Sequence, residues 1–61
     1  MNIKNITILQ EYPLKDYTII NRHTKYLPIV ACWNFCKENN TWSQGHYFET
    51  IEDACKYVDL L

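Results

Sequence analysis

The residues from Trp42 to Val58 leave this chain few folds to choose from. Trp42-Ser-Gln-Gly-His-Tyr-Phe48 has the aromatic content of a strand, and it runs directly into Thr50-Ile-Glu-Asp53, a hydroxyl followed three residues later by a carboxylate. That pattern is a close relative of the capping box, which satisfies the open amides of a helix start. Ile51, Ala54, Cys55 and Val58 then recur at helical spacing, which predicts an amphipathic helix over residues 50–60. A strand feeding such a helix needs a sheet for the apolar stripe to cover.

Upstream, strong strand formers occupy Tyr17-Thr-Ile-Ile20 and Leu27-Pro-Ile-Val-Ala-Cys-Trp-Asn-Phe35, with polar breaks at Arg22-His-Thr-Lys25 and Lys37-Glu-Asn-Asn40. Both breaks read as hairpin loops. Residues 3–9 offer a further strand, and Pro13 ends whatever precedes it. The fold class that follows is α+β: a three- or four-stranded antiparallel sheet with one C-terminal helix packed on one face, residues 1–61 forming a single small domain. At 61 residues the chain lies near the lower limit for a core without metals, disulfides or a partner, so every large apolar side chain counts.

A four-residue loop at 37–40 pairs 36 with 41, then 35 with 42, 33 with 44, 31 with 46 and 29 with 48. A three-residue loop at 23–25 sets Ile19 opposite Ile29 and Tyr17 opposite Ala31. These registers place Ile29, Ala31, Trp33, Phe35, Trp42 and Phe48 on the face that the helix covers, with Gly45 the point where a bulge would change the parity. A helix of about eleven residues, roughly 16 Å, covers one face and no more. The other face then presents Ile20, Arg22, Tyr26, Val30 and Tyr47, together with Thr18, Pro28, Cys32 and Ser43. It is too apolar for plain solvent, and its expected cover is the N-terminal segment, a second copy of the chain, or a partner.

The chemistry-bearing residues read mostly as structure. Cys32 and Cys36 lie four apart in a strand pattern, about 13 Å, too far to share a disulfide or a zinc ion. Cys55 falls on the helix stripe as a small core residue, so free thiols are expected. His46 faces Ala31 at the helix side of the sheet, away from Cys32, which leaves no thiol–imidazole pair for nucleophilic catalysis. His23 belongs to a turn. Glu49, Glu52 and Asp53 suit the positive end of the helix dipole and form an acidic corner, a secondary docking candidate. No phosphate loop, metal motif or cofactor fingerprint stands in the sequence, so we expect no enzyme, no cofactor and no small-molecule substrate.

Composition narrows the partners. With 48% hydrophobic residues and one glycine the chain is built to fold, and a net charge of −1 with a pI near 6.0 supplies no global field for nucleic acid or anionic lipid. Without an apolar run of about 18 residues or a signal-peptide pattern no membrane span is expected, and three cysteines, an odd number, suit a reducing, cytoplasmic setting. The sequon matches at Asn5 and Asn39 are then chance matches. Frequent Asn, Ile, Lys and Tyr point to an AT-rich genome, such as a low-GC bacterium or its phage.

The segment Phe48-Glu-Thr50-Ile-Glu-Asp-Ala54-Cys-Lys-Tyr57, after a strand pair, resembles the end of the three-stranded-sheet-plus-helix domains of plant ethylene-response factors and integrase arm-binding domains. The Phe, Thr and Ala spacing matches, the Tyr stands one position early, and the likeness, one of architecture, covers under a third of the chain. It implies DNA binding through the sheet face away from the helix. Here that face offers Arg22, with Lys15 and Lys25 near its ends, and little else to contact phosphates. The expectation is therefore a non-enzymatic protein-binding module using Ile20, Arg22, Tyr26, Val30 and Tyr47, or self-association through them. Its size and mild acidity would suit an accessory protein of a phage or mobile element that modulates a host factor, such as a defence inhibitor. The alternative is a nucleic-acid-binding module using the same face.

Overall fold

A computed structural model describes residues 5–61. Four strands, β1 (Thr7–Tyr12), β2 (Tyr17–Asn21), β3 (Ile29–Trp33) and β4 (Gln44–Phe48), pair in chain order as an antiparallel meander, and α1 (Ile51–Asp59) packs across β2, β3 and β4. The fold is α+β, and its sheet is four-stranded. β1 begins within the segment expected to be a strand, but it continues to Tyr12, where Pro13 stops it and opens a 3-10 turn over Pro13–Lys15. Residues 3 and 4 of that segment lie outside the described residues.

The helix starts as its cap requires. Thr50 is extended and its hydroxyl accepts the Asp53 amide at 3.2 Å, while Glu52 and Asp53 place carboxylates at the positive end of the dipole. At the other end Lys15 reaches over from the 3-10 turn and donates to the carbonyls of Val58 (2.9 Å) and Asp59 (3.4 Å), a cation at the negative end. Ala54 and Val58 are buried against Ile19, Ile29 and Ala31, with Leu9, Tyr12, Tyr17, Phe48, Cys55 and Tyr57 around them. Ile51, expected on the same stripe, is instead exposed in the first turn.

The β3–β4 register is the expected one, with Ile29 opposite Phe48, Ala31 opposite His46 and Trp33 opposite Gln44, and a bridge of Cys36 to Thr41 closes the 37–40 loop. Gly45 seats no bulge. The β2–β3 register differs from expectation by two residues: Ile19 faces Ala31 and Tyr17 faces Trp33. The cause is the loop, which spans 23–27 and is closed by the Arg22 amide on Pro28 O at 2.8 Å. A shift of two preserves parity, so the helix still covers the intended side of β2 and β3.

Beyond Trp33 the parity does change. Asn34 is left-handed (φ 58°) and sends its amide to Asp16 O at 2.9 Å, which breaks the alternation of the apolar run. Phe35 and Trp42, expected under the helix, consequently lie on the opposite face, their ring centroids 6.3 Å apart, packed with Ile6 over Ile20, Val30 and Cys32. Trp33, expected in the core, is 39% exposed. The face expected to be open is thus a second core, sealed by the chain itself. Burial of Ile20 and Val30 contributes on the order of 1.5–3 kcal/mol each, which a chain this short needs from both sides of its sheet.

Candidate functional site

The second core divides the five expected binding residues. Ile20 and Val30 have no accessible surface and serve packing, whereas Arg22, Tyr26 and Tyr47 remain at the surface, where β2 ends and the 23–27 loop begins. The Arg22 guanidinium lies 4.7 Å from the Tyr47 ring centroid, a cation–π contact, and its Nη2 donates to Leu27 O at 2.8 Å. Arg22 Nε is buried and has no partner among the described residues, an unfavourable placement that the stacking and the Leu27 bond must offset. Arginine is therefore clamped in one orientation.

The loop around it is held as firmly. The His23 amide donates to Asn21 Oδ1 (2.8 Å), the Thr24 hydroxyl donates to Tyr26 O (3.1 Å), and the His23 Nε2 shares a hydrogen bond with the Thr7 hydroxyl (2.8 Å). His23 (φ 59°) and Leu27 (φ 45°) are both left-handed. For a leucine that region costs on the order of 1–2 kcal/mol and persists only where neighbours enforce it. The result of this enforcement is Tyr26, carried outward at 74% exposure beside the Arg22–Tyr47 stack. Of the basic residues expected near this surface, Lys15 is engaged with the helix carbonyls on the far side of the sheet.

Other groups give less. Cys32 is fully buried, and burial pushes its thiol up to about 12 against an opposing effect of Arg22, so it is not a thiolate near neutral pH. All three cysteines are free thiols, and among the described residues no cluster of His, Cys, Asp and Glu has metal-binding geometry. His46 stands at the rim of the helix side, its Nε2 2.9 Å from the Tyr57 hydroxyl and its ring tilted against that of Tyr57 with centroids 4.4 Å apart. The neighbouring Cys55 thiol, partial burial and Asp59 likewise raise Tyr12 to about 12. A shallow cleft between the 3-10 turn and the end of β3, lined by Glu11, Tyr12, Asp16, Tyr17, Thr18 and Asn34, contains neither a thiol nor an imidazole. Glu49, Glu52 and Asp53 are exposed and make no ion pair among the described residues.

Sequence reasoning placed Leu27 at the head of a strand, whereas β3 starts at Ile29 and the strained backbone of Leu27 shapes the loop; it also gave no packing role to Tyr57, which touches Tyr17, His46 and Phe48 in one aromatic cluster. Tyr57 follows Ala54 by three positions, the helical spacing that marks it as inward-facing. Leu27 carried no such signal, because nothing in a Leu-Pro pair announces a positive φ. The chain matches no protein-family model, no curated protein and no solved structure.

Proposed function

We infer that this is a non-enzymatic protein-binding module whose contact surface is built on Arg22, Tyr26 and Tyr47. The observation that carries the reading is the strained, hydrogen-bonded 23–27 loop, which presents Tyr26 at 74% exposure next to a clamped Arg22–Tyr47 stack. Tyrosine and arginine held in advance in one geometry offer large contact area at low ordering cost, the composition of interface hot spots. Engagement of Arg22 and Lys15 within the fold, and of Lys37 with Glu11, leaves few cations among the described residues free for phosphates and favours a protein over a nucleic acid. The residue usage of an AT-rich genome suits an accessory protein of a phage or mobile element that modulates a host factor.

The test is crosslinking capture from a host lysate with nuclease treatment, comparing the parent with the double variant Tyr26→Ala, Tyr47→Ala. A hot-spot loss of at least about 2 kcal/mol corresponds to a weakening of about thirtyfold. The double variant should lose the captured protein while its far-UV circular dichroism stays unchanged. Retention of the same protein by a folded double variant would reject this surface and move attention to Glu49, Glu52 and Asp53. Capture that collapses with nuclease or steeply with salt would favour the nucleic-acid alternative.

A further inference from the structure

Antiparallel strands bond through alternate residues, and the ends of β3 reveal the phase. Arg22 donates its amide to Pro28 O and Asn34 donates to Asp16 O (2.9 Å), so even-numbered residues of β3 turn their backbone toward β2. Odd-numbered residues then turn toward β4, as the Ser43 amide on Trp33 O (3.1 Å) also indicates. With Ala31 opposite His46, the backbone groups of Gln44, His46 and Phe48 point inward, and those of Gly45 and Tyr47 point to the outer edge. No described residue bonds to the edge groups of Gly45 or Tyr47.

The two edges of the sheet are not alike. β1 carries an irregularity between Ile8 and Gln10 and the charged Glu11, ion-paired with Lys37 at 3.3 Å, both of which discourage strand addition. From Gln44 to Phe48, β4 has an unshifted register, no proline and no Asp, Glu, Lys or Arg. It is the unguarded edge.

We propose that the β4 edge pairs with β4 of a second copy of this chain, antiparallel about a two-fold axis at His46, so that two sheets become one continuous sheet. In that register Gly45 and Tyr47 of each copy exchange backbone hydrogen bonds with the partner's Tyr47 and the partner's Gly45. An axis at Gly45 would set the two glycines against each other with no side-chain contact, and an axis at Tyr47 would spend Gly45 against Glu49. The His46 axis instead sets Tyr47, 42% exposed, opposite the partner's Gly45 and beside the Trp42 indole that fills the space over that glycine, a cross-strand contact of Tyr47 with Trp42 that the other two axes lack. A second copy suits this edge because the uncharged strand is its own complement, each copy supplying what the other lacks. The pairing shares Tyr47 with the loop surface but not Tyr26 or the 23–27 loop, so substitutions at Tyr26 tell the two apart.

Sedimentation of the full chain from micromolar to submillimolar concentration, at mildly alkaline pH, should show a reversible dimer. On the axis, residue 46 faces its own copy as a non-hydrogen-bonded pair with Cβ atoms about 4.5–5.5 Å apart, near disulfide distance. Oxidised His46→Cys should therefore give a covalent dimer linked 46 to 46 by peptide mapping, whereas Gln44→Cys, facing the partner's Phe48, should give no 44-to-44 link. Tyr47→Pro removes an amide that points outward, a substitution an edge strand tolerates, and should raise the dimer dissociation constant about tenfold or more with the fold intact. If that variant fails to fold, the 46-to-46 link decides. A parent that stays monomeric, a dimer without the 46-to-46 link, or a dimer that survives Tyr47→Pro but dissociates in Tyr26→Ala would each overturn the proposal.

Discussion

Replacing Gly45 with alanine probes the second core at its tightest point. A Cβ at this position would lie 2.6 Å from Trp42 Nε1, 3.0 Å from Trp42 Cδ1 and 3.2 Å from Val30 Cγ1. The first separation is not tolerable, so the indole has to move, and moving it uncovers Val30 and Cys32, which now have no accessible surface. Overpacking of this kind costs about 1–3 kcal/mol. Against it stands the restriction of the unfolded chain by alanine, worth about 0.4–1 kcal/mol, and Gly45 has no positive φ to lose. A net loss of about 1–2 kcal/mol lowers the Tm of a domain this size by about 5–15 °C. The assay is urea unfolding followed by circular dichroism, run as a double-mutant cycle with Trp42→Leu, which keeps apolar cover but removes the clashing ring atoms. In the Trp42→Leu background Gly45→Ala should be neutral or slightly stabilising. Equal losses in both backgrounds, or no loss in the parent, would refute the account of why a glycine stands there.

Ala54→Asp places an unpaired carboxylate against Ile19, Ile29 and Ala31, a cost of several kcal/mol that exceeds what a marginal domain can absorb, so its cooperative melt should vanish; a native melting profile would remove the helix–sheet contact. Stability should also decline in alkali, because the folded state holds the Cys32 proton more tightly than the unfolded chain does, up to about 12 against an ordinary 9.0. The contribution is complete below the unfolded value and is lost as pH rises from there toward the folded one, with a slope approaching about 1.4 kcal/mol per pH unit for this thiol alone. Tyr12 adds to the fall only above its ordinary 10.0, so Cys32→Ala should flatten the onset between those two ordinary values, and a parent whose urea midpoint does not move there would contradict the burial of Cys32.

The parts of the fold legible in the sequence were those decided locally. Thr50 and Asp53 mark a helix start by themselves, and the four-residue loop at 37–40 is enough to set 29 opposite 48. What escaped were conformations that only tertiary packing selects. A parity argument propagates any error along the strand, so one left-handed residue, Asn34, sent Phe35 and Trp42 to the other side of the sheet. The 23–27 loop exceeds the expected three residues because Leu27 stands at a positive φ, its carbonyl accepting one bond from the Arg22 guanidinium while the Arg22 amide closes the loop on Pro28 O, and no propensity predicts a strained leucine. The candidate site followed the same division. Arg22 and Tyr47 were legible as neighbours on one face, but the burial of Ile20 and Val30 depended on the displaced aromatics.

That displacement has a consequence for where recognition can occur. With the helix on one face and Phe35, Trp42 and Ile6 on the other, neither broad surface of the sheet is free, and only its perimeter remains. One end is tied down, since Lys15 in the 3-10 turn is bonded to the last carbonyls of the helix. One edge is guarded, since β1 is irregular and Glu11 is paired with Lys37. The opposite end carries the clamped Arg22 and the outward Tyr26, and the opposite edge carries the open backbone of Gly45 and Tyr47. Tyr47 belongs to both, its ring under the guanidinium and its amide at the edge. Tyr47→Phe, which keeps ring and backbone but removes the hydroxyl, should therefore leave both the cation–π contact and the strand pairing in place, whereas Tyr47→Pro should disturb both at once. Arg22→Met separates them: the stack is lost, the edge is untouched, and a dimer that persists in that variant while partner capture fails would show two surfaces meeting at one residue.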